Sequence, residues 1–553
     1  MITVTFNLRT IATIKRLLGQ HPFAWAWVGL ITLSIIGCQS GVTTNPQFSP
    51  SSGQIILGTT ARIRTLDPAD AYEIFSGTVL YNLGDRLYIA DPETGNLVPQ
   101  LAMTMPVISN DGLTYTIPLR QGVVFHNGSP FDANAMVFSL QRFISNEGSP
   151  SFLLGDVVKS IVATGDYELT ITLKQPFAAF PSLLTVPGMC AVAPNVYKIG
   201  AGQFNPNSFV GTGPYQLVQS SPDSLKMERF EQYWGERAAN PGVSIQFFTS
   251  GANLFNGFRS GSVDVAYQTL DVDQILALQR DGQSRGWQMI EGPGNGIHYL
   301  SLNLQQPPLD NPLVRKAIAA LIDRPLLQDR VFRGQVEPLY SLIPSTVTGS
   351  RPVFQSSYGD GNAQKAKAWL LEAGYSSANP LRVELWYRSN LTNNVIAAQT
   401  LQASIHQKLG DLITLELQGV ESATAYQNLD KGVYPMIMLD WSPDFLDADN
   451  YLQPFLDCGQ GKAPNQCESG ASKLQGSFYF SDRANQLISQ SRQTNNEGMR
   501  LNLLNQLQTL VAEDIPFIPL WQNKEFLFIQ DRIEGGKLGK TQKLNFGRLK
   551  KQL

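Results

Sequence analysis

Charge is scarce in this chain of 553 residues. Asp, Glu, Lys and Arg together make up 16%, where a globular protein usually carries about a quarter. The formal net charge is −3, which excludes the basic surface that neutralises phosphates in nucleic-acid binders. Four cysteines are too few for a scaffold built on disulfides. Past the first 37 residues only His126, His298 and His406 remain. They lie far apart, a pattern of hydrogen-bonded structural residues and not of a zinc or copper site. His-Glu-x-x-His does not occur, so one common hydrolase signature is missing. Gly535 to Thr541 (GGKLGKT) approaches a phosphate loop, but Glu534 stands where that motif needs glycine. Hydrophobic residues at 43%, with 47 Gly and 33 Pro, give a large core and many turns. Collagen, a coiled coil and a mostly disordered chain are thereby excluded. The length suits three or four domains of about 150 residues.

The first 37 residues hold no Asp or Glu. Arg9, Lys15 and Arg16 precede an apolar run from Phe23 to Gly37. A basic segment before an apolar stretch of about 14 residues fits a secretory signal better than a membrane span, which needs about 20. The run ends at Gly37-Cys38 and turns polar at Gln39-Ser40. This resembles the bacterial lipoprotein cleavage box, with Ile35 and Ile36 looser than its usual residues. Cys38 is then expected to be lipidated and to become the first mature residue. An uncleaved anchor helix is the alternative, and both tether the protein outside the inner membrane. No later segment has 18 uninterrupted apolar residues. Residues 38–53 (including TTNPQFSPSSG) read as a flexible tether. Export permits cysteine oxidation. Cys458 and Cys467 flank GQGKAPNQ and are expected to pair. Closing so short a loop stabilises by at most roughly 2.5–3 kcal/mol. Cys190, within VPGMCAVAP, reads as a small buried hydrophobe.

Along the body, strand and helix patterns alternate through most of residues 240–520, the signature of an α/β protein. QIILGTT (54–60) reads as a first strand. Asp132 looks like the cap of a helix reaching about Phe143. Asn311-Pro312 opens a helix whose Val314, Ala317, Ile318 and Leu321 share one face. Further helices are expected over 74–88, 363–373, 394–409, 484–491 and 499–514. Strands are expected over 299–304, 381–386, 413–417, 435–439 and 516–521.

Residues 438–452 (MLDWSPDFLDADNYL) are the richest in chemistry. A strand runs into a loop carrying four carboxylates. Asp444 is framed by Trp441, Pro443, Phe445 and Leu446. A carboxylate among apolar neighbours wants a cationic partner. An internal arginine and a ligand amine both answer that need. A solvated acidic loop is the plainer reading.

Several segments together resemble the periplasmic peptide-binding proteins of ABC transporters, the solute-binding family that includes oligopeptide-, dipeptide- and nickel-binding lipoproteins. They are DGLTYTIPLRQGVVFHNGSPFDANAMVFSL (111–140), GTGPY (211–215) with Tyr233-Trp234, SGSVD (260–264), LDNPLVRKAIAALIDR (309–324), AKAWLLEAGY (366–375) and IPFIPL (515–520). Each alone is weak. Six in order, covering nearly all of residues 54–525, are specific.

The resemblance implies a two-lobed fold around a cleft, with an accessory subdomain in the first lobe. Residues 54–86, 206–297 and 511–553 would form lobe I, 87–205 the accessory subdomain and 298–510 lobe II. Crossing strands would lie near His298 to Asn303 and Glu513 to Pro516. In that family a Trp-x-x-Asp motif supplies the carboxylate for a peptide's ammonium. Trp441-Ser442-Pro443-Asp444 matches it without a gap, so Asp444 inherits the role, with Trp441 and Phe445 beside the ligand. The cysteine pair downstream also resembles the dipeptide-binding branch. Some of its members hold the far carboxylate with an arginine, for which Arg388 is the candidate, although WYRSN departs from that branch. Should Arg388 point elsewhere, longer peptides or non-peptide solutes are implied. The pairs Leu119-Arg120 and Phe125-His126 are expected to serve packing.

The implied protein is a monomeric, non-enzymatic carrier. It would be held in the periplasm by lipidated Cys38, deliver peptides to an inner-membrane permease, and need no metal, cofactor or nucleic acid. A nickel chelate, haem or an oligosaccharide are alternative cargoes. A secreted hydrolase and a purely structural lipoprotein are the readings from other classes.

Overall fold

The computed structural model describes residues 53–268, 270–541 and 543–552. The leader and Cys38 lie outside the described residues. The body is built on one mixed sheet in which two long strands run side by side. Trp287–Leu302 and Phe517–Gln530 pair antiparallel from Trp287↔Gln530 to Ser301↔Phe517. The first was expected near His298 to Asn303, and its start at Trp287 passes through GPGNG (292–296), residues unfavourable in a strand. The structure carries the strand through that stretch with an irregularity between Pro293 and Ile297. A bulge is where a strand tolerates proline and glycine, since the missing N–H falls outside the ladder. The second crossing strand was expected at 513–516. Those residues instead end the helix Glu497–Asp514, and Ile515 closes it in the left-handed region at φ 54°.

On one side of this pair the sheet continues through Met436–Trp441, Leu381–Arg388 and Ile413–Val420. On the other it continues through Val265–Tyr267, Ile55–Thr59, Gly242–Phe247, Ser224–Arg229 and Tyr215–Ser220. Leu381–Arg388 is parallel to both neighbours, and so is Ile55–Thr59. Parallel strands need helical crossovers. Helix Thr392–Leu409 and helix Ser422–Leu429 supply two of them.

Local signals explain most helix starts. Asn311 caps Pro312–Leu321, its side chain accepting from Leu313 N at 2.9 Å. Val314, Ala317, Ile318 and Leu321 are buried as their spacing requires. Each large apolar side chain so buried contributes about 1.5–3 kcal/mol. Asp132 caps Ala133–Ser145 through Ala135 N at 2.8 Å. Helix Val272–Arg285, absent from the sequence reading, begins with a capping box of Asp271 and Gln274.

A separate four-stranded sheet of Val107–Ile108, Thr114–Pro118, Glu168–Leu173 and Val158–Gly165 forms the accessory layer. Helix Ala133–Ser145 packs on it through Met136, Leu140 and Phe143. A buried ion pair ties this layer to the rest. Arg142 Nη1 and Nη2 donate to Asp67 at 2.7 and 2.6 Å, and both residues are shut from solvent. Cys458 and Cys467 form a disulfide, with Cα atoms 5.8 Å apart, and Cys190 is free and buried. Among the described residues no helix is long and apolar enough to cross a membrane.

Candidate functional site

A cavity of about 630 Å³ opens beside the crossing strands, within the size range of small-ligand sites. Its walls come from three places. Helix Ile74–Leu83, with Gln268, Leu270, Val272 and Ile275, forms one side. Asn295, Gly296 and residues 523–526 of the crossing strands form the floor. Ser442 to Leu446, after strand Met436–Trp441, form the other side.

The four carboxylates of the 438–452 segment separate cleanly by partner. Asp440 is ion-paired to Arg388. Asp447 is held by Arg500 at 2.6 Å and Asp449 by Arg492 at 2.7 Å. Asp444 has no cationic partner among the described residues. Its Oδ1 accepts from Tyr72 Oη at 2.7 Å, and its N donates to Asn450 Oδ1 at 3.0 Å. Burial pushes its carboxyl above the usual range, and the hydrogen bonds from Tyr72 and Asn450 only partly offset this. The side chain faces the cavity.

The other expected site residues lie as follows. Phe445 is buried and lines the cavity, and its ring also meets Phe177 of the accessory core at 6.4 Å. Trp441 packs edge-on to Phe455 at 5.5 Å behind the wall, with no acceptor for its Nε1. Arg388 is buried at the end of its strand, bound to Asp440 and to Tyr426 Oη at 3.1 Å. Neither Trp441 nor Arg388 is among the described residues that wall the cavity. Arg120 and His126 lie away from it. Arg120 donates to Gln100 O at 2.6 Å and stacks on Trp234, while His126 Nε2 meets Gly213 O at 3.1 Å. His298 stacks on Trp521 with ring centres 4.6 Å apart. Among the described residues no cluster of His, Cys, Asp and Glu could hold a metal ion.

Sequence reasoning missed Tyr72, Asn450, Glu525 and Lys543. Tyr72 comes from the segment before helix Ile74–Leu83, and nothing in DAYEIF marks it as a partner for a residue 372 positions away.

The sequence profile of the bacterial extracellular solute-binding proteins, family 5 (middle region), matches residues 96–463. The chain belongs to this family. Among family 5 relatives, it is 27% identical over 485 residues to the glutathione-binding protein GsiB of Escherichia coli O1:K1 / APEC. That match covers 84% of this chain and 88% of GsiB. Two solved structures share the two-lobed fold. DppA of Helicobacter pylori, solved with the peptide STSA, superposes with a TM-score of 0.72 at 24% identity. It covers 91% of this chain and 98% of its own. HbpA2 of Haemophilus parasuis superposes at 0.77 with 21% identity, covering 90% and 100%. In this family 5 chain the cavity is lined by residues of the crossing strands and of segments on both sides of them.

Proposed function

We propose that this protein is the solute-capturing component of an ABC importer and that its cargo is a peptide gripped by its amino terminus at Asp444. One observation carries the reading: of four neighbouring carboxylates, Asp444 alone lacks an internal cation, and it faces the cavity. A buried carboxylate of that kind is completed by a ligand ammonium. Such a charged hydrogen bond contributes about 1.5–3 kcal/mol net. Truncating one partner costs more, about 2–5 kcal/mol, because the other charge stays buried and unpaired.

The relatives support the peptide class. GsiB is named for glutathione, itself a small peptide, and the Helicobacter pylori DppA was solved with STSA. An extended peptide adds backbone hydrogen bonds that ignore side-chain identity. Binding, with no bond broken, is the activity this site suits. A solute that contacts both sides of the cleft favours the closed form. That form is the one an inner-membrane permease would recognise. The division we propose for this motion is residues 54–86, 206–297 and 511–553 against 298–510, with 87–205 riding on the first. The relatives support a periplasmic location, and the leader sequence supports anchorage of a monomer through lipidated Cys38.

Mass spectrometry of solute retained through native purification tests the reading. A peptide with a free amino terminus is expected. A neutral oligosaccharide, a haem or a metal chelate in its place would refute it.

A further inference from the structure

Six charged side chains line the cavity: Arg62, Glu73, Asp444, Lys524, Glu525 and Lys543. Three are already engaged. Glu73 binds Arg64 at 2.7 Å, Lys524 binds Glu291 at 2.8 Å, and Arg62, exposed at the rim, donates to Phe248 O at 3.0 Å. Asp444, Glu525 and Lys543 have no oppositely charged side chain in contact among the described residues. Asp444 is accounted for above. The remaining two come from other elements, Glu525 from the floor strand and Lys543 from the C-terminal segment.

Lys543 reaches this wall from the C-terminal segment. Its Nζ lies over Gly77 of helix Ile74–Leu83, where even a methyl group would sit 3.5 Å from the nitrogen and 3.7 Å from Pro187. Tyr81, one turn further along the same helix, also lines the cavity. No acceptor among the described residues takes a hydrogen bond from Lys543 Nζ. Glu525, on the crossing strand Phe517–Gln530, is hydrogen-bonded by Gln268 and acts on the ammonium through space, without a hydrogen bond to it. Behind Tyr81 lies Arg86, fully buried, its guanidinium 4.8 Å from the ring centre. Arg86 Nη1 donates to Gly84 O, while Nε and Nη2 have no acceptor. The adjacent Asp85 does not serve them. Its carboxylate is taken by Gln100, Thr212, Tyr233 and Trp234. This end of the cavity therefore holds two cations with unmet hydrogen-bond donors, while the nearby carboxylates of Asp85 and Glu525 are hydrogen-bonded by other side chains. Burial bears on both facing groups, drawing the Lys543 ammonium down to about 8 and pushing the Glu525 carboxyl up to about 7. Groups so perturbed in a cleft mark functional sites.

We propose that Lys543 is the anchor for a carboxylate of the solute, so that the cleft selects molecules carrying both a free ammonium, at Asp444, and a free carboxylate, at Lys543. This inference rests on the cleft being the peptide site. Arg388, the arginine expected for this role, is bound to Asp440 behind the cavity wall. Lys543 offers instead three donors on a flexible stem with no internal acceptor. Glu525 then acts as a filter, repelling a solute carboxylate that approaches without Lys543 charged.

Titration calorimetry with trialanine, its C-terminal amide and its N-acetyl derivative tests this on the full-length protein. The unaltered protein is expected to prefer the free acid to the amide by roughly tenfold or more, the scale of one charged hydrogen bond. Lys543→Gln should lose that preference while still rejecting the N-acetyl peptide. Lys543→Arg should keep it. If Lys543→Gln keeps the full acid-over-amide preference, or Lys543→Arg loses it, the assignment is overturned while the Asp444 reading stands. If the unaltered protein binds none of the three peptides, the peptide reading falls and this inference with it.

Discussion

Tyr72 and Asp444, 372 residues apart in the chain, meet across the cleft, the phenol donating to the carboxylate at 2.7 Å. One comes from the wall formed by helix Ile74–Leu83 and the other from the loop after strand Met436–Trp441. The contact gives a carboxylate without a cation a donor from the opposite wall.

Binding of an ammonium solute is predicted to weaken on acidification at a higher pH than an ordinary carboxylate would set. Burial raises the Asp444 carboxyl above its usual 3.8, with hydrogen bonds from Tyr72 and Asn450 opposing. Only the ionised form attracts an ammonium. Removing one opposing bond with Tyr72→Phe should move the fall in affinity to still higher pH. Affinities measured from pH 4 to 8 for both proteins check this. Superimposable profiles would contradict it.

Breaking the Asp67–Arg142 pair is predicted to be among the costliest single changes. Arg142 also donates to Lys198 O and Gln203 O, so it cannot swing out to solvent when its carboxylate is removed. Asp67→Ala leaves a buried, unpaired guanidinium and should cost about 3–5 kcal/mol. Urea unfolding measures it. A loss under about 1 kcal/mol would mean the pair is not buried as described.

His126 is predicted to make the fold sensitive to mild acid. Burial lowers its imidazole from 6.5 to about 4, against a small opposing effect of the Gly213 carbonyl. Between those values the unfolded chain holds the extra proton, so stability falls as the pH drops from about 6.5 towards 4. His126→Gln, which keeps a donor for Gly213 O, should lessen the fall between pH 7 and 5. Denaturant midpoints of the two proteins, compared at both pH values, decide it. Equal losses would exclude His126 as the cause.

The Cys458–Cys467 bridge closes a loop between residues nine apart. Its removal by Cys458→Ser with Cys467→Ser is predicted to cost no more than roughly 2.5–3 kcal/mol. Thermal unfolding of the double variant checks this. A chain that cannot fold without the bridge would contradict it.

The sequence showed best what depends on neighbours in the chain. Asp132 and Asn311 cap the helices their positions suggested, and the periodic face of residues 314–321 is buried. The disulfide followed from two cysteines around a turn-rich stretch. What failed depends on distant partners. The strand was expected only near His298 to Asn303, yet pairing with Phe517–Gln530 extends it back to Trp287 through Gly292, Pro293, Gly294 and Gly296. Arg388 carried no mark of Asp440, which reaches it from the neighbouring strand. Asp444 stood out because its apolar neighbours are adjacent in sequence. Tyr72 and Lys543 did not, because only the folded chain brings Tyr72 against Asp444 and Lys543 to the cavity.

The central claim is that Asp444 receives the solute's ammonium. A double-mutant cycle measures that pairing itself: trialanine and N-acetyl-trialanine, each titrated into the unaltered protein and into Asp444→Asn. The account predicts that acetylation weakens binding to the unaltered protein by about 2–5 kcal/mol. It predicts little further loss in the variant, so that the two changes are strongly coupled. Additive losses, or full affinity of Asp444→Asn for the free-amine peptide, would contradict it.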